Sequence, residues 1–143
     1  MELKIENHID SPYYLRKVED ATFWKYAANE WWKLLTPYTP METGTTSETV
    51  KVKGEKLTGL LEYISPQAHY LYRGELMVDP ATGSSYASQG AKKVYTGVDL
   101  QISRERHPLA SKEWDKAAEP LQMPKLIKAM QDYITSGRLK LNG

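Results

Sequence analysis

The sequence predicts an α+β fold, with a long N-terminal amphipathic helix and a C-terminal helix packed on an antiparallel sheet of about four strands. Apolar residues recur at helical spacing near both ends of the chain, whereas the central part alternates with a period of two. Helices segregated from an antiparallel sheet are typical of α+β domains. The chain has 143 residues, enough for one core but few for two, so a single domain over 1–143 is expected.

The N-terminal residues predict a short strand followed by a helix. Three apolar residues alternate with polar ones, as in a half-buried strand: Leu3, Ile5 and Ile9. Ser11 and Pro12 are typical of a helix start, because Ser accepts hydrogen bonds from free helix amides and Pro fits the first helical position. The first helix therefore begins either there or, after a break near Glu19, at Asp20.

The strongest helix signal lies between Asp20 and Thr36. At about 100° per residue, the apolar side chains fall within an arc of about 140°, and charged side chains fill the opposite side. The apolar set comprises Phe23, Trp24, Ala27, Ala28, Trp31, Leu34 and Leu35. Pro37 and Pro40 cannot lie inside a helix, so the helix is expected to end near Leu35 or Thr36. Burial statistics favour a core role for its tryptophans over a ligand site.

After Gly44 the pattern changes to that of strands. Residues 45–53 and 56–64 each carry alternating apolar residues, and the break at Gly54 between them predicts a β-hairpin. Residues 67–74 suit either a helical turn or a strand. The next four residues, 75–78, predict a strand.

Residues 79–97 are rich in Pro, Gly, Ser and Ala, which predicts a long flexible loop. A loop of this length is unusual in a compact domain and is often functional or ordered by a partner. A last strand is expected after it, because Val98, Leu100 and Ile102 alternate with polar residues.

The C-terminal part predicts two helical segments. Ser111 is expected to cap a short turn over 113–118, which Pro120 interrupts. Pro124 is expected to begin a second helix that Gly137 ends. Within an arc of about 120°, that helix groups five apolar residues: Leu126, Ile127, Met130, Tyr133 and Ile134.

Composition excludes several classes of protein. Lys and Arg number 19 against 18 Asp and Glu, and a net charge of +1 argues against a protein that grips nucleic acid mainly by charge. The chain has no cysteine, which excludes disulfides, thiolate nucleophiles and cysteine-bound metals. The charged N-terminus is not expected to act as a secretory leader, and no apolar run is long enough to span a membrane.

No motif predicts catalysis, a cofactor or a metal. The three histidines, His8, His69 and His107, lie far apart in the sequence and lack a second ligand at metal spacing. Neither a nucleophile elbow nor a phosphate-binding loop is present. Glu62 and Asp79 are the best candidates for a paired acid and base, but nothing in the sequence brings them together. We therefore expect no catalytic, cofactor-binding or metal-binding residues.

Aromatic usage favours an interaction surface. Ten tyrosines and four tryptophans accompany one phenylalanine, and amphipathic aromatic residues suit half-wet interfaces. The modest basic clusters of the chain could join them there. The interface candidates are Tyr26, Trp32, Tyr38, Tyr70, Tyr72, Arg73, Tyr86, Lys92, Lys93, Arg104 and Arg106.

Three blocks of sequence resemble one known family. The first is Pro37-Tyr-Thr-Pro-Met-Glu-Thr-Gly44, directly after a helix, and the second is Ala68-His-Tyr-Leu-Tyr-Arg-Gly-Glu-Leu-Met-Val78. The third joins Asp99-Leu-Gln-Ile102, His107-Pro-Leu-Ala110 and Trp114-Asp-Lys-Ala-Ala118. In this order, between about residues 21 and 119, they are similar to minor capsid proteins of tailed phages and prophages of Gram-positive bacteria. That family is related to neck and tail-completion proteins.

The resemblance implies a virion structural protein and not an enzyme. Such a subunit would form a ring with copies of itself at the head–tail junction, between portal-side head proteins and the tail. It would contact the passing genome DNA at most weakly, would need no membrane or cofactor, and would be assembled in the cytoplasm of the host bacterium. The first dozen residues and the helix after Pro120 fall outside the resemblance.

Two other classes remain open. One is a small enzyme or ligand-binding α+β domain whose pocket is roofed by residues 79–96. The other is a nucleic-acid-binding module that uses Lys92, Lys93, Arg104 and Arg106. A deep pocket with convergent polar groups would favour the former, and strong salt-dependent binding to duplex DNA the latter.

Overall fold

The chain folds into three helices and two antiparallel sheets in the part that the structure, a computed structural model, describes. The described residues are 1–5, 18–40, 50–65, 68–78, 80–83, 92–102, 104 and 107–136. In chain order the elements are β1 (Glu2–Ile5), α1 (Ala21–Leu35), a 3-10 turn (Thr36–Tyr38), β2 (Val50–Gly54), β3 (Gly59–Tyr63), α2 (Ala68–Arg73), β4 (Glu75–Val78), β5 (Val94–Asp99) and α3 (Trp114–Thr135). The predicted α+β class is confirmed.

Helix α1 has the predicted buried face. Asp20 is its N-cap and accepts a hydrogen bond from the Phe23 amide at 3.0 Å. Its buried residues belong to the predicted apolar set: Phe23, Trp24, Ala27, Ala28, Trp31 and Leu35. The helix has 15 residues and begins at Ala21, so a long N-terminal helix is not shown. The alternative start at Ser11, and Ile9 of the first strand, lie outside the described residues.

The predicted hairpin is confirmed, and it supplies two of the three strands of a sheet. Strand β3 is central, with β1 and β2 antiparallel on either side. Gly54 pairs with Gly59 at the turn end. Helix α1 packs directly over this end, because a Cβ on Gly59 would lie 2.6 Å from the Trp24 carbonyl oxygen. The absence of a side chain at Gly59 therefore sets how closely α1 approaches the sheet.

The expected single sheet of about four strands is wrong. Strands β4 and β5 form a separate two-stranded sheet, here called the ribbon. The last strand is Val94–Asp99 and not 98–102, because Val94 pairs with Val78 of β4 and Tyr95 pairs with Met77. Residues 94–97 therefore belong to a strand and not to the predicted loop. The rest of that prediction falls on the turn at 80–83, on residues 92–93, which lie outside any strand or helix, and on residues outside the description.

The expectation of two C-terminal helical segments is also wrong. Helix α3 runs without interruption over 22 residues and contains both Pro120 and Pro124. Both prolines are exposed, so the carbonyl groups of Lys116 and Pro120, which lose their amide donors four residues on, lie on the solvent side of the helix. The opposite face is held in the core by Trp114, Ala118, Leu126, Met130 and Tyr133.

Ser111 does not cap this helix. The N-cap position is Glu113, in a left-handed conformation with φ of 46° and no side-chain cap. The Ser111 hydroxyl donates to the Lys112 carbonyl instead, at 2.8 Å. Two backbone bonds fix the approach: the Ser111 amide donates to Tyr38 at 3.0 Å, and the Glu113 amide donates to Tyr72 at 2.8 Å.

Aromatic side chains connect the layers of the core. Helices α1 and α3 meet where Phe23 and Tyr26 contact Tyr133, with ring centroids 5.5 and 4.7 Å apart. The Trp24 indole donates to the Val18 carbonyl at 2.8 Å, which ties the chain before α1 to the core. Aromatic pairs of this geometry stabilise a fold by about 0.5–1.5 kcal/mol beyond their buried area.

We predict that Gly59→Ala lowers the free energy of unfolding by about 2–3 kcal/mol, because the new methyl group collides with the backbone of α1. Urea denaturation measures the change. Gly83→Ala is the control: it has no atom within 4 Å but a φ of 70°, so only backbone strain of about 1 kcal/mol is expected. Equal losses for the two variants would contradict the close approach.

Candidate interaction surface

Several predicted interface residues from separate segments converge on α2 and the ribbon. Helix α2 ends at Gly74, whose φ of 69° turns the chain directly into β4. On its outer side α2 exposes Tyr70 and Arg73, and Lys92 and Lys93 lead into β5 beside them. Pairing of β4 with β5 therefore brings together residues that lie more than twenty positions apart in the sequence.

The side chains at this place form a row of three rings with a cation at each end, here called the cation–aromatic cluster: His69, Tyr70, Arg73, Lys93 and Tyr95. The Arg73 guanidinium carbon lies 3.4 Å from the centre of the Tyr95 ring. The Tyr95 hydroxyl lies 3.0 Å from Nε2 of His69, and the Lys93 ammonium lies 6.0 Å from the Tyr70 ring. Each exposed cation–π contact stabilises its pair by about 0.5–1 kcal/mol.

Sequence reasoning missed His69 and Tyr95 as members of this cluster. Tyr95 falls in the predicted loop, and His69 was expected to be a structural or surface residue because no metal ligand accompanies it. A shift of the strand prediction by four residues would have placed Tyr95 on β5. The pairing of Met77 with Tyr95 is what puts its ring against α2.

Tyr72 points the other way, toward α3. Its hydroxyl donates to the Asp115 carboxylate at 2.7 Å, and its ring meets Trp114 edge-on with centroids 5.1 Å apart. Burial raises the pKa of Tyr72 well above its ordinary value, and the hydrogen bond to Asp115 and the negative charges of Asp115 and Glu113 raise it further. Tyr72 thus holds α2 against the start of α3.

An open cleft of about 450 Å³ lies where β5 ends. Its lining residues are Gly74, Asp99, Leu100, Gln101, Ile102, Arg104, Ser111 and Lys112. Arg104 Nε donates to the Ala110 carbonyl at 3.1 Å, and the Lys112 ammonium lies 4.0 Å from Asp99. The described lining is therefore Gly74, residues 99–102, Arg104 and residues 111–112, and includes none of the described residues of 79–96.

The remaining interface candidates lie elsewhere. Tyr26 and Trp32 are half-buried on α1, where both pack against the core. Tyr38 is buried, and its hydroxyl accepts a hydrogen bond from Gln122 Nε2 at 3.2 Å. Tyr86 and Arg106 lie outside the described residues.

Of the three blocks that carry the family resemblance, the third contacts the other two. Blocks one and three meet where Nδ1 of His107 lies 2.7 Å from the Thr39 carbonyl oxygen. Blocks two and three meet where the Leu100 amide donates to Gly74 at 2.8 Å and where Tyr72 contacts Trp114. Block three thus contacts both of the other blocks, through residues up to 68 positions apart in the sequence.

Comparison with known proteins does not identify the family of this chain. Within the described ranges, no three His, Asp or Glu side chains are grouped so that they would hold a metal ion. The helices of the same part include none with the length and apolar character needed to cross a membrane. Comparison of the whole chain with protein-family models, with curated proteins and with solved structures gave no match. Function is therefore inferred from the residues of this chain.

We predict that Tyr72→Phe lowers the free energy of unfolding by about 1 kcal/mol near neutral pH, through loss of the bond to Asp115. Because folding raises the pKa of Tyr72, its contribution is complete below about pH 10 and declines as the pH rises above that value. The difference between wild type and variant should therefore narrow in alkali. Urea denaturation from about pH 8 to about pH 11 measures it.

The matched control for this prediction is Tyr70→Phe. Tyr70 is exposed, and no hydrogen bond of its hydroxyl is found among the described residues. This variant should change the free energy of unfolding by less than about 0.5 kcal/mol at either pH. A gap between wild type and Tyr72→Phe that stays constant or widens with pH would contradict the assigned role of Tyr72.

Proposed function

We propose that this protein is a structural subunit of a tailed-phage virion, a minor capsid or neck protein that joins head and tail as part of a ring. The observation that carries the proposal is that the third resembling block contacts both of the others, at His107 with Thr39 and at Trp114 with Tyr72. Residues that resemble a family in the same order, and that also pack together, behave as one shared structural unit.

The exposed surfaces suit assembly. The cation–aromatic cluster exposes Tyr70 and Arg73 on α2, next to the ribbon. Aromatic residues and Arg are enriched at protein interfaces, where they supply much of the binding energy. The net charge of +1 suits a channel that DNA must cross without being held. The proposed partners are copies of this chain, portal-side head proteins and tail proteins.

A ligand-binding domain is the second candidate, and the cleft beside β5 is the observation that favours it. The cleft presents Arg104 and Lys112 together with Asp99. However, Arg104 is bonded to a backbone carbonyl, and the side chain of Asp99 is 89% exposed. An open cleft with a solvated carboxylate supplies little of the desolvation that small-molecule sites use.

We predict that the purified chain, mixed with the neighbouring virion proteins of its gene cluster, enters a complex of defined high mass. Size-exclusion chromatography with light scattering measures the mass of each component alone and of the mixture. Arg73→Ser should weaken this complex about tenfold, because it removes the cation stacked on Tyr95. A tenfold loss corresponds to about 1.4 kcal/mol.

The control is Lys33→Ser, which removes an exposed cation on α1, paired with Glu30 at 3.1 Å. It should leave the complex unchanged, since exposed ion pairs of this kind contribute little. A chain that stays monomeric with every virion partner would overturn the proposal, and ligand screening at the cleft would then be the next experiment.

A further inference from the structure

Helix α3 carries a second apolar face, directed away from the core. Four residues at helical spacing are exposed there and uncharged, here called the helix stripe: Ala117, Pro120, Leu121 and Pro124. Leu121 is 70% exposed, the largest value among the large apolar side chains that are exposed in the described part. A helix with one face in the core needs no second apolar face for its own stability.

The ribbon exposes two apolar side chains of β5, here called the ribbon patch: Val94 and Val98. These side chains are 45% and 56% exposed, and β5 is solvent-accessible along most of its length. Edge strands are usually protected from pairing by charged residues, above all Lys. Strand β2, an edge of the other sheet, has Lys51 and Lys53, whereas β5 has no Lys and no Pro.

The two surfaces match in length and in charge. The helix stripe spans roughly 10 Å at 1.5 Å per residue, and the ribbon patch spans at most roughly 13 Å, shortened by the bulge in β5. Lys125 adjoins the stripe and has no salt bridge among the described residues. Asp99 adjoins the patch, is 89% exposed at its side chain, and makes a long ion pair of 4.0 Å with Lys112. One end of each surface therefore carries a charge opposite to that beside the other surface, whereas the Val94 end of the patch is bordered by Lys93.

We propose that the helix stripe of one copy of this chain docks on the ribbon patch of a second copy, with Lys125 facing Asp99. The two surfaces are different, so the contact is head-to-tail, and repeating it closes a ring if the rotation between copies closes. This inference rests on the proposed ring function and deepens it by assigning the lateral contact between subunits.

Disulfide trapping tests this contact directly, because the chain has no native cysteine. Leu121→Cys and Val98→Cys are placed in separate chains, mixed and oxidised. The expected result is a mixed dimer that forms at least tenfold faster than the dimer of Leu121→Cys with Lys56→Cys, a control at the exposed hairpin turn. Dimers that form only between identical variants, or no faster than the control, would overturn the proposal.

Complementation provides a second readout that does not depend on cysteine chemistry. Leu121→Asp and Val98→Asp each change an exposed side chain, so both variants should fold. Each alone should lose self-association, because every head-to-tail contact then has one charged surface. An equimolar mixture retains one intact pairing and should give dimers and nothing larger. A Val98→Asp variant that dimerises alone would show a stripe-to-stripe contact and overturn the proposal.

The two proposals fail in different ways. If the chain joins its virion partners but gives no selective disulfide between positions 121 and 98, the proposed connector function stands and the proposed lateral contact is overturned. If the chain forms the disulfide and assembles by complementation but binds no virion protein, the proposed lateral contact stands and the proposed connector function is overturned.

Discussion

Trp114 is fully buried, and its indole meets the rings of Tyr63 and Tyr72 edge-on, at centroid distances of 5.3 and 5.1 Å. Tyr63 belongs to the central strand of the main sheet, and Tyr72 to the helix that leads into the ribbon. Burial raises the pKa of Tyr63, whose hydroxyl lies near Thr39 and Trp114 Nε1 but completes a hydrogen bond with neither among the described residues. Such buried polar groups cost free energy, so the ring contacts must offset that cost. One side chain thus couples the core to the ribbon.

The parts of the fold that sequence predicts well are those fixed by local signals. For α1, the cap at Asp20, the apolar arc and the terminating Pro37 all lie within one stretch, and each agrees with the others. The hairpin is likewise set by alternation on both sides of a glycine turn. In both cases the residues that decide the structure are neighbours in the chain. Their local preferences agree with the overall fold, so the prediction does not depend on distant contacts.

Elements that depend on distant partners were predicted less well. Proline in a helix interior usually ends it, but the buried face of α3 keeps the helix continuous while Pro120 and Pro124 face solvent. Apolar and polar residues do alternate at 98–102, but backbone pairing with β4, which includes Tyr95, places the strand at Val94–Asp99. The interface candidates also depend on distant contacts. Composition identifies Arg73 and Lys93 as residue types suited to an interface, whereas only the fold places Arg73 against the Tyr95 ring.

The ribbon follows directly on α2, and α2 is held to the start of α3 by Tyr72 and by the backbone bond from Glu113. A two-stranded sheet is marginally stable alone, and β5 buries little of its surface. Amide hydrogens of β4 and β5 should therefore exchange with solvent through local opening, whereas those of β3 require opening of the whole domain. The ribbon can change its conformation at a cost well below that of global unfolding, while the core that carries it stays intact.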